Sequence, residues 1–210
     1  LKNAMRQEIK MDINTRLITE DEYITTAWSG GKTTQLFIYP EEADYSARNF
    51  KFRLSSATVE LEKSEFTKLE GVYRFITPLD GKLKLTHNHI QYIDLQPFEV
   101  YEFNGDKDTV SFGRARDFNL MLKSGAEGRL DSVYINKELL LSEEIHGDFK
   151  EFFYFIYACN RDVSVEVDGK NYNIDQFQTL LIKVESECVL NIKISSAGDA
   201  NILAAKILIW

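Results

Sequence analysis

Apolar and polar residues alternate in short runs along most of the chain. Residues 35–39, 50–54, 72–76, 82–85 and 98–103 each repeat with a period of two, which puts successive side chains on opposite faces of an extended strand. Turn-forming residues separate the runs: Gly30 and Gly31, Pro40, Pro78, Asp80 and Gly81, Asn104 to Asp106, and Asp168 and Gly169. Strands of this length at this spacing predict a β-sandwich or barrel. Helix is scarce. Residues 19–23 read as one capped turn, residues 41–49 as another, and residues 138–146 as a short helix or loop between two halves.

A weak internal repeat organises these strands. A shift of 79 residues lays Tyr73 over Phe152, Phe75 over Tyr154 and Ile76 over Phe155. The same shift lays Leu95 over Ile174, Phe98 over Phe177 and Val110 over Val189. The match is of residue class, and it keeps an apolar strand, a hairpin and a second apolar strand in register. It predicts two halves, residues 13–123 and 130–210. No arginine of the second half falls over Arg74, where Phe153 lies, so any pocket is expected in the first half.

Charge and composition narrow the partners. The net charge of −8 opposes the phosphate backbone of nucleic acid and an anionic membrane surface, and no Lys/Arg cluster overrides it. The 10 Tyr and 14 Phe suit pleated, half-buried surfaces. Residues 1–16 lack the apolar core of a secretory signal, and no apolar run approaches a membrane span, so the expected location is the cytoplasm. Cys159 and Cys188 sit among apolar neighbours and read as reduced thiols, with a cross-strand disulfide as the alternative.

Two motifs suggest chemistry and are set aside. Ser29-Gly30-Gly31-Lys32-Thr33 looks like a phosphate-binding loop. That motif needs a glycine where Thr26 stands and a helix after the lysine, whereas residues 34–39 read as a strand. Gly81, His87, His89 and Asp94 approach a cupin metal motif. The carboxylate is Asp rather than Glu, Tyr101 replaces the closing glycine, and the glycine precedes the histidines. Both histidines are therefore read as exposed residues of a polar hairpin tip, and neither a metal nor another cofactor is expected.

Several segments, in order, resemble the HutD/Ves family. These are Trp28 to Leu36 with its glycine turn, Phe52-Arg53-Leu54-Ser55, Phe66 with Leu69 to Arg74, Leu95 to Phe98 with Phe103 to Asp106, and Asp117-Phe118-Asn119-Leu120-Met121. They span residues 28–121. The glycine turn is shorter than the family's and lacks its Asn, Glu70 replaces a proline, and Tyr73 replaces an acidic residue before Arg74. The resemblance implies a bicupin, two cupin-like antiparallel β-barrels in one chain, without the usual metal histidines. It also implies an accessory or regulatory role in histidine utilisation through binding of a small acid, with urocanate as the obvious candidate.

The residues support a pocket independently. Arg74 shares a strand face with Val72 and Ile76, Asp117 and Asn119 share one with Met121, and Arg53 shares one with Ser55. Guanidinium groups offer paired N–H donors that match a planar carboxylate. Arg53, Arg74 and Asn119 are the expected lining, with Asp117 orienting an arginine and Thr33 and Gln35 adding hydrogen bonds. Alternatively, Arg74 and Asp117 form a structural ion pair and Arg53 is solvated. No catalytic residue is assigned. Two other functions stay open: a metal-independent cupin enzyme of the isomerase or epimerase type, with Tyr73 or Glu99 as its base, and a dimeric partner-binding protein with the apolar stretch 202–210 at the seam.

Overall fold

A computed structural model describes residues 13–210. The expectation for residues 1–16 therefore falls largely outside the described residues. The chain is all-β, and its strands form four antiparallel sheets. The six-stranded sheet runs, side by side, Ile24–Trp28, Gly31–Tyr39, Phe52–Val59, Ala115–Lys123, Val72–Asp80 and Tyr101–Asn104. A four-stranded sheet of the same sequence region orders Lys63–Glu65, Thr109–Phe112, Leu83–His87 and Gln91–Leu95. The second half builds a five-stranded sheet from Ile13–Ile18, Thr179–Val184, Glu151–Ala158, Ala200–Ile209 and Ala126–Ile135. Its four-stranded partner orders Glu138–Ile145, Cys188–Ser195, Val163–Val167 and Lys170–Ile174.

The two halves repeat one pairing order. Four strands of the six-stranded sheet, from Phe52–Val59 through Tyr101–Asn104, match Ala126–Ile135, Ala200–Ile209, Glu151–Ala158 and Thr179–Val184. The two four-stranded sheets match strand for strand. The turns match as well. Phe98 and Phe177 both have positive φ, 66° and 72°. Their amides donate to Pro78 O and Ala158 O, each at 2.7 Å. A shift of 79 holds from Leu95 to Phe103, which pairs with Arg74 as Ile182 pairs with Tyr154. Beyond that it is lost, and Val110 does not correspond to Val189, because Thr109 lies opposite His87 where Ile192 lies opposite Val167. On the strand Val72–Asp80 it is out of phase by one residue. Phe75 faces the core between the halves, whereas Tyr154 faces the interior of the second half. The extra residue of the first half lies in the next hairpin: three residues, 88–90, separate Leu83–His87 from Gln91–Leu95, against two, 168–169, between Val163–Val167 and Lys170–Ile174.

Three local expectations change. Ile13–Ile18 pairs with Thr179–Val184, so the first described strand completes the second half's sheet rather than opening the first half. Residues 138–146 are not helix or linker, because Glu138–Ile145 is a strand paired along its length with Cys188–Ser195. Residues 41–49 form turns without a helix. The expected capped turn is present as a 3₁₀ turn at Glu20–Glu22, closed by a capping box between Thr19 and Glu22. Both cysteines are free. Among the described residues, no helix is long and apolar enough to cross a membrane.

The largest core lies between the six- and five-stranded sheets. Phe37, Phe52, Leu54, Phe75, Phe118 and Leu120 from one meet Phe153, Phe155, Tyr157, Leu203 and Ile207 from the other. Phe52, fully buried, stands 5.1 Å from Phe153, 5.2 Å from Tyr39 and 5.8 Å from Phe37 between ring centroids. Such pairs add to the burial of their area. Phe52→Ala should cost about 3–5 kcal/mol. Because the seam is shared, the two halves should still lose structure together in one urea transition with a lower midpoint. Two separated transitions would show that the seam does not couple them.

Candidate functional site

Alternation dictates what lies on the other face of the six-stranded sheet. With Phe52 and Leu54 committed to the seam, Arg53 and Ser55 point inward. With Phe118 and Leu120 in the seam, Asp117, Asn119 and Met121 point inward, and Arg74 does so beside Phe75. Strand register then aligns these positions across the sheet. Arg53 pairs with Met121, which pairs with Arg74. Ser55 pairs with Asn119, and Ala57 with Asp117. A cavity of about 460 Å³ opens over this row.

Arg53, Arg74, Asn119, Asp117 and Thr33 all line the cavity. Gln35 does not line it but accepts a 2.8 Å hydrogen bond from Arg53 Nε. Ser55 Oγ accepts another from Arg53 Nη1 at 3.1 Å. Arg53 is 5% exposed, so the alternative of a solvated side chain does not hold. Arg74 is 6% exposed and donates from Nη2 to Asn119 Oδ1 at 3.1 Å, while its Nε is buried without a partner. Asn119 Nδ2 in turn donates to Asp117 Oδ1 at 2.5 Å. Asp117 therefore reaches Arg74 through the Asn119 amide. Among the described residues no ion pair joins Arg53 or Arg74 to a carboxylate, which replaces both the direct Asp–Arg contact and the structural ion pair expected from sequence.

Burial dominates the electrostatics. It pushes the Asp117 carboxyl up to about 7, against the opposing pull of Arg74 and the Asn119 hydrogen bond. It also lowers Arg74 to about 10 and lowers Arg53. At neutral pH the row thus holds two guanidinium cations and a carboxyl that is only partly ionised.

Aromatic side chains that were not among the candidate ligand-binding residues complete the lining. Tyr45 comes from the turns after Pro40, and the Arg53 guanidinium lies 4.2 Å over its ring. Phe66 lies 4.8 Å from the Arg74 guanidinium. Trp28 stands at the cavity on the exposed edge strand, and its indole lies directly over Gly30. A Cβ at Gly30 would come within 2.0 Å of that ring, so glycine is what admits the tryptophan. Phe66 and Trp28 lie in segments that carry the family resemblance, whereas Tyr45 sits in a segment without alternation and no sequence signal marked it.

The remaining candidates lie elsewhere. His87 was read as an exposed loop residue and is instead 2% exposed on Leu83–His87. Its Nδ1 is 2.9 Å from Thr109 Oγ1 and its Nε2 3.1 Å from Tyr101 OH, so both ring nitrogens have partners. His89 is exposed in the following turn. Among the described residues, no three His, Cys, Asp or Glu side chains are grouped to hold a metal ion. Tyr73 and Glu99 are exposed and do not line the cavity. Ala200–Ile209 is enclosed between two neighbouring strands, so its backbone offers no free edge for a dimer seam.

The second half supplies an internal comparison. Its row equivalent to Arg53–Met121–Arg74 is Arg129–Lys206–Tyr154. There each cation has a carboxylate: Arg129 Nε is 2.8 Å from Asp131 Oδ2, and Lys206 pairs with Glu143. Ile202 and Ala204 replace Asp117 and Asn119, and the interior around them is apolar.

Comparison with known proteins fits this architecture. A conserved protein of unknown function, PA5104 of Pseudomonas aeruginosa PAO1, superposes with a TM-score of 0.77 at 20% identity, covering 94% of this chain and 100% of that one. HutD from Pseudomonas fluorescens SBW25 gives 0.66 at 22%, covering 91% and 98%. AerE from Microcystis aeruginosa gives 0.61 at 9%, covering 90% and 97%. At these identities the likeness is one of fold, all-β and cupin-like. No curated protein matches by sequence. The HutD family model matches residues 20–202, nearly the whole described chain, and the protein belongs to the HutD family.

Proposed function

We propose that this HutD-family chain is a bicupin whose first barrel binds a small carboxylate, and that it serves as an accessory or regulatory protein of histidine utilisation rather than an enzyme. Urocanate or a related acid of that pathway is the proposed ligand. One observation carries the reading. Arg53 and Arg74 are buried at one cavity with no carboxylate ion pair, whereas in the corresponding row of the second half Arg129 is exposed and paired with Asp131, Tyr154 stands in the place of Arg74, and the added cation Lys206 is paired with Glu143. A buried cation without a counter-charge is costly, and an anionic ligand removes that cost. Arg74 Nε, buried and without a partner, is a donor such a ligand could satisfy. Tyr45, Phe66 and Trp28 suit a planar, conjugated body behind the carboxylate.

A specific observation favours a second reading. Asp117 is a cavity carboxyl with its pKa raised to about 7, the range suited to a general acid or base. That is the group a metal-independent isomerase or epimerase needs, whereas Tyr73 and Glu99 lie outside the cavity.

Thermal unfolding against urocanate, histidine, formiminoglutamate, glutamate and formate tests the binding reading. Formate belongs in the set because the HutD structure from Pseudomonas fluorescens is described as a formate condition. A ligand at a hundred times its Kd should add about 2.7 kcal/mol to stability. Arg74→Ala should lose most of that response. If no acid moves the midpoint of the wild-type protein, the reading fails.

Proton linkage gives a separate check. The folded-state pKa of Asp117 lies above its ordinary value near about 3.9, so the folded state holds the proton more tightly. The stability this group contributes is fully present below about pH 4 and is lost as pH rises through 7. Asp117→Asn should flatten that part of the stability–pH curve. Carboxylate affinity should also be higher at pH 6 than at pH 8 in the wild type, and independent of pH over that span in the variant. For the enzyme reading, bound acids are incubated in D₂O. Deuterium incorporation at carbon that is abolished by Asp117→Asn would replace the binding-protein reading with catalysis.

A further inference from the structure

The turns between Gly31–Tyr39 and Phe52–Val59 hold an arrangement that the cavity alone does not explain. Tyr45 carries two guanidinium groups on its ring, Arg53 at 4.2 Å and Arg48 at 4.1 Å. A ring is attracted to a cation over its face, and two cations on one ring repel each other unless something outside the ring compensates. Among the described residues neither arginine forms an ion pair with a carboxylate.

The segment is built to hold this geometry. Arg48 has φ +57°, a left-handed backbone that a non-glycine residue keeps only where its surroundings fix it. Its Nη1 donates to Tyr45 O at 2.8 Å, its amide donates to the same oxygen at 3.3 Å, and its own carbonyl accepts from Lys123 Nζ. Asp44 Oδ1 accepts from Ser46 N and Oγ, and Asn49 Oδ1 from Asp44 N, closing the turn on both sides of Tyr45. Tyr45 also stacks on buried Phe50, with centroids 5.9 Å apart. Its ring is thereby fixed from the protein side, and Arg53 rests on it.

We propose that Tyr45 is a positioning residue that holds the Arg53 guanidinium in its anion-receiving geometry, and that Arg48, on the same ring but outside the cavity lining, is a third cation close enough to attract the bound anion. This rests on the carboxylate-binding reading for its ligand and on the stacking geometry alone for the positioning. Gln35 and Ser55 fix Arg53 Nε and Nη1 from the strand side, and Tyr45 fixes the plane of the group. The ring face, not the hydroxyl, does the work.

The test therefore has an arm without ligand and an arm with it. In the first, the Arg53 Nε–H resonance is assigned by its loss in Arg53→Lys, and its exchange with water is followed by NMR in the wild type, Tyr45→Ala and Tyr45→Phe. Exchange should be slow in the wild type and in Tyr45→Phe, and at least about tenfold faster in Tyr45→Ala, equivalent to about 1.4 kcal/mol. Equal exchange in all three, or a Tyr45→Phe variant as fast as Tyr45→Ala, overturns the positioning role. Unfolding midpoints and the backbone amide spectrum check that Tyr45→Ala still folds. If it does not, Tyr45→Leu, which keeps an apolar side chain without a π face, takes its place.

In the second arm, urocanate and formate are titrated at several salt concentrations. Tyr45→Ala should weaken binding about tenfold and Tyr45→Phe less than twofold. Arg48→Asn tolerates the left-handed backbone but removes the charge, and should bind about threefold more weakly with a shallower salt dependence. An unchanged salt dependence would remove Arg48 from the site. If the exchange arm behaves as expected while neither acid binds the wild type, Tyr45 still positions Arg53 and the carboxylate reading is what fails.

Discussion

Each strand of the six-stranded sheet has two faces, and the aromatic seam claims one of them. Phe52, Leu54, Phe75, Phe118 and Leu120 must face the five-stranded sheet, where Phe153, Phe155 and Tyr157 exclude water. A strand has no freedom to turn a single residue around, since a slip of one position would reverse its whole set of side chains. The intervening residues Arg53, Arg74, Asp117 and Asn119 are therefore delivered together to the opposite face. The seam that holds the halves together also concentrates polar groups in the interior of the first half.

Those polar groups are tolerated because each is tied into a network with a distinct gap. Arg53 is held by Gln35, Ser55 and Tyr45, and Arg74 by Asn119, Phe66 and Phe103. Asp117 sits one amide away, and burial raises its pKa far enough that it does not act as a full counter-ion at neutral pH. A direct Arg–Asp pair would have satisfied the cation from within and left little for a ligand to gain. Placing Asn119 between them keeps Asp117 as a hydrogen-bond anchor and leaves guanidinium donors for something else.

The second half shows the other outcome on the same topology. Its row of Arg129, Lys206 and Tyr154 neutralises itself with Asp131 and Glu143, and its interior is filled by Val163, Val165, Ile174, Leu180, Ile192 and Ile202. Identical strand order thus supports a packed apolar core in one half and a polar cavity in the other. The difference lies in a handful of inward positions. Fold likeness alone says little about function for this reason.

Much of this was written in the sequence, and the physical reasons divide it. Alternation is local, so the strands and the residues that share each strand face followed from it, while the family resemblance across residues 28–121 rested on short motifs. That Arg53 faces inward was one of two expectations and needed its buried partners Gln35 and Ser55 to decide it. The capping box at Thr19 was equally local. Pairing partners are not local. Which strand lies beside Ile13–Ile18, whether residues 138–146 find a partner, and which strands of the two halves correspond depend on contacts across the whole chain. Side-chain partners lie further still from sequence. His87 reads as a loop residue until Thr109 and Tyr101 are seen beside it, and Tyr45 has no pattern of its own until the turns after Pro40 bring its ring under Arg53. The sequence by itself determined which residues share a strand face; only the tertiary structure decided which face is inward and which cations there would be left without a counter-charge, because that depends on distances between strands that no local pattern encodes.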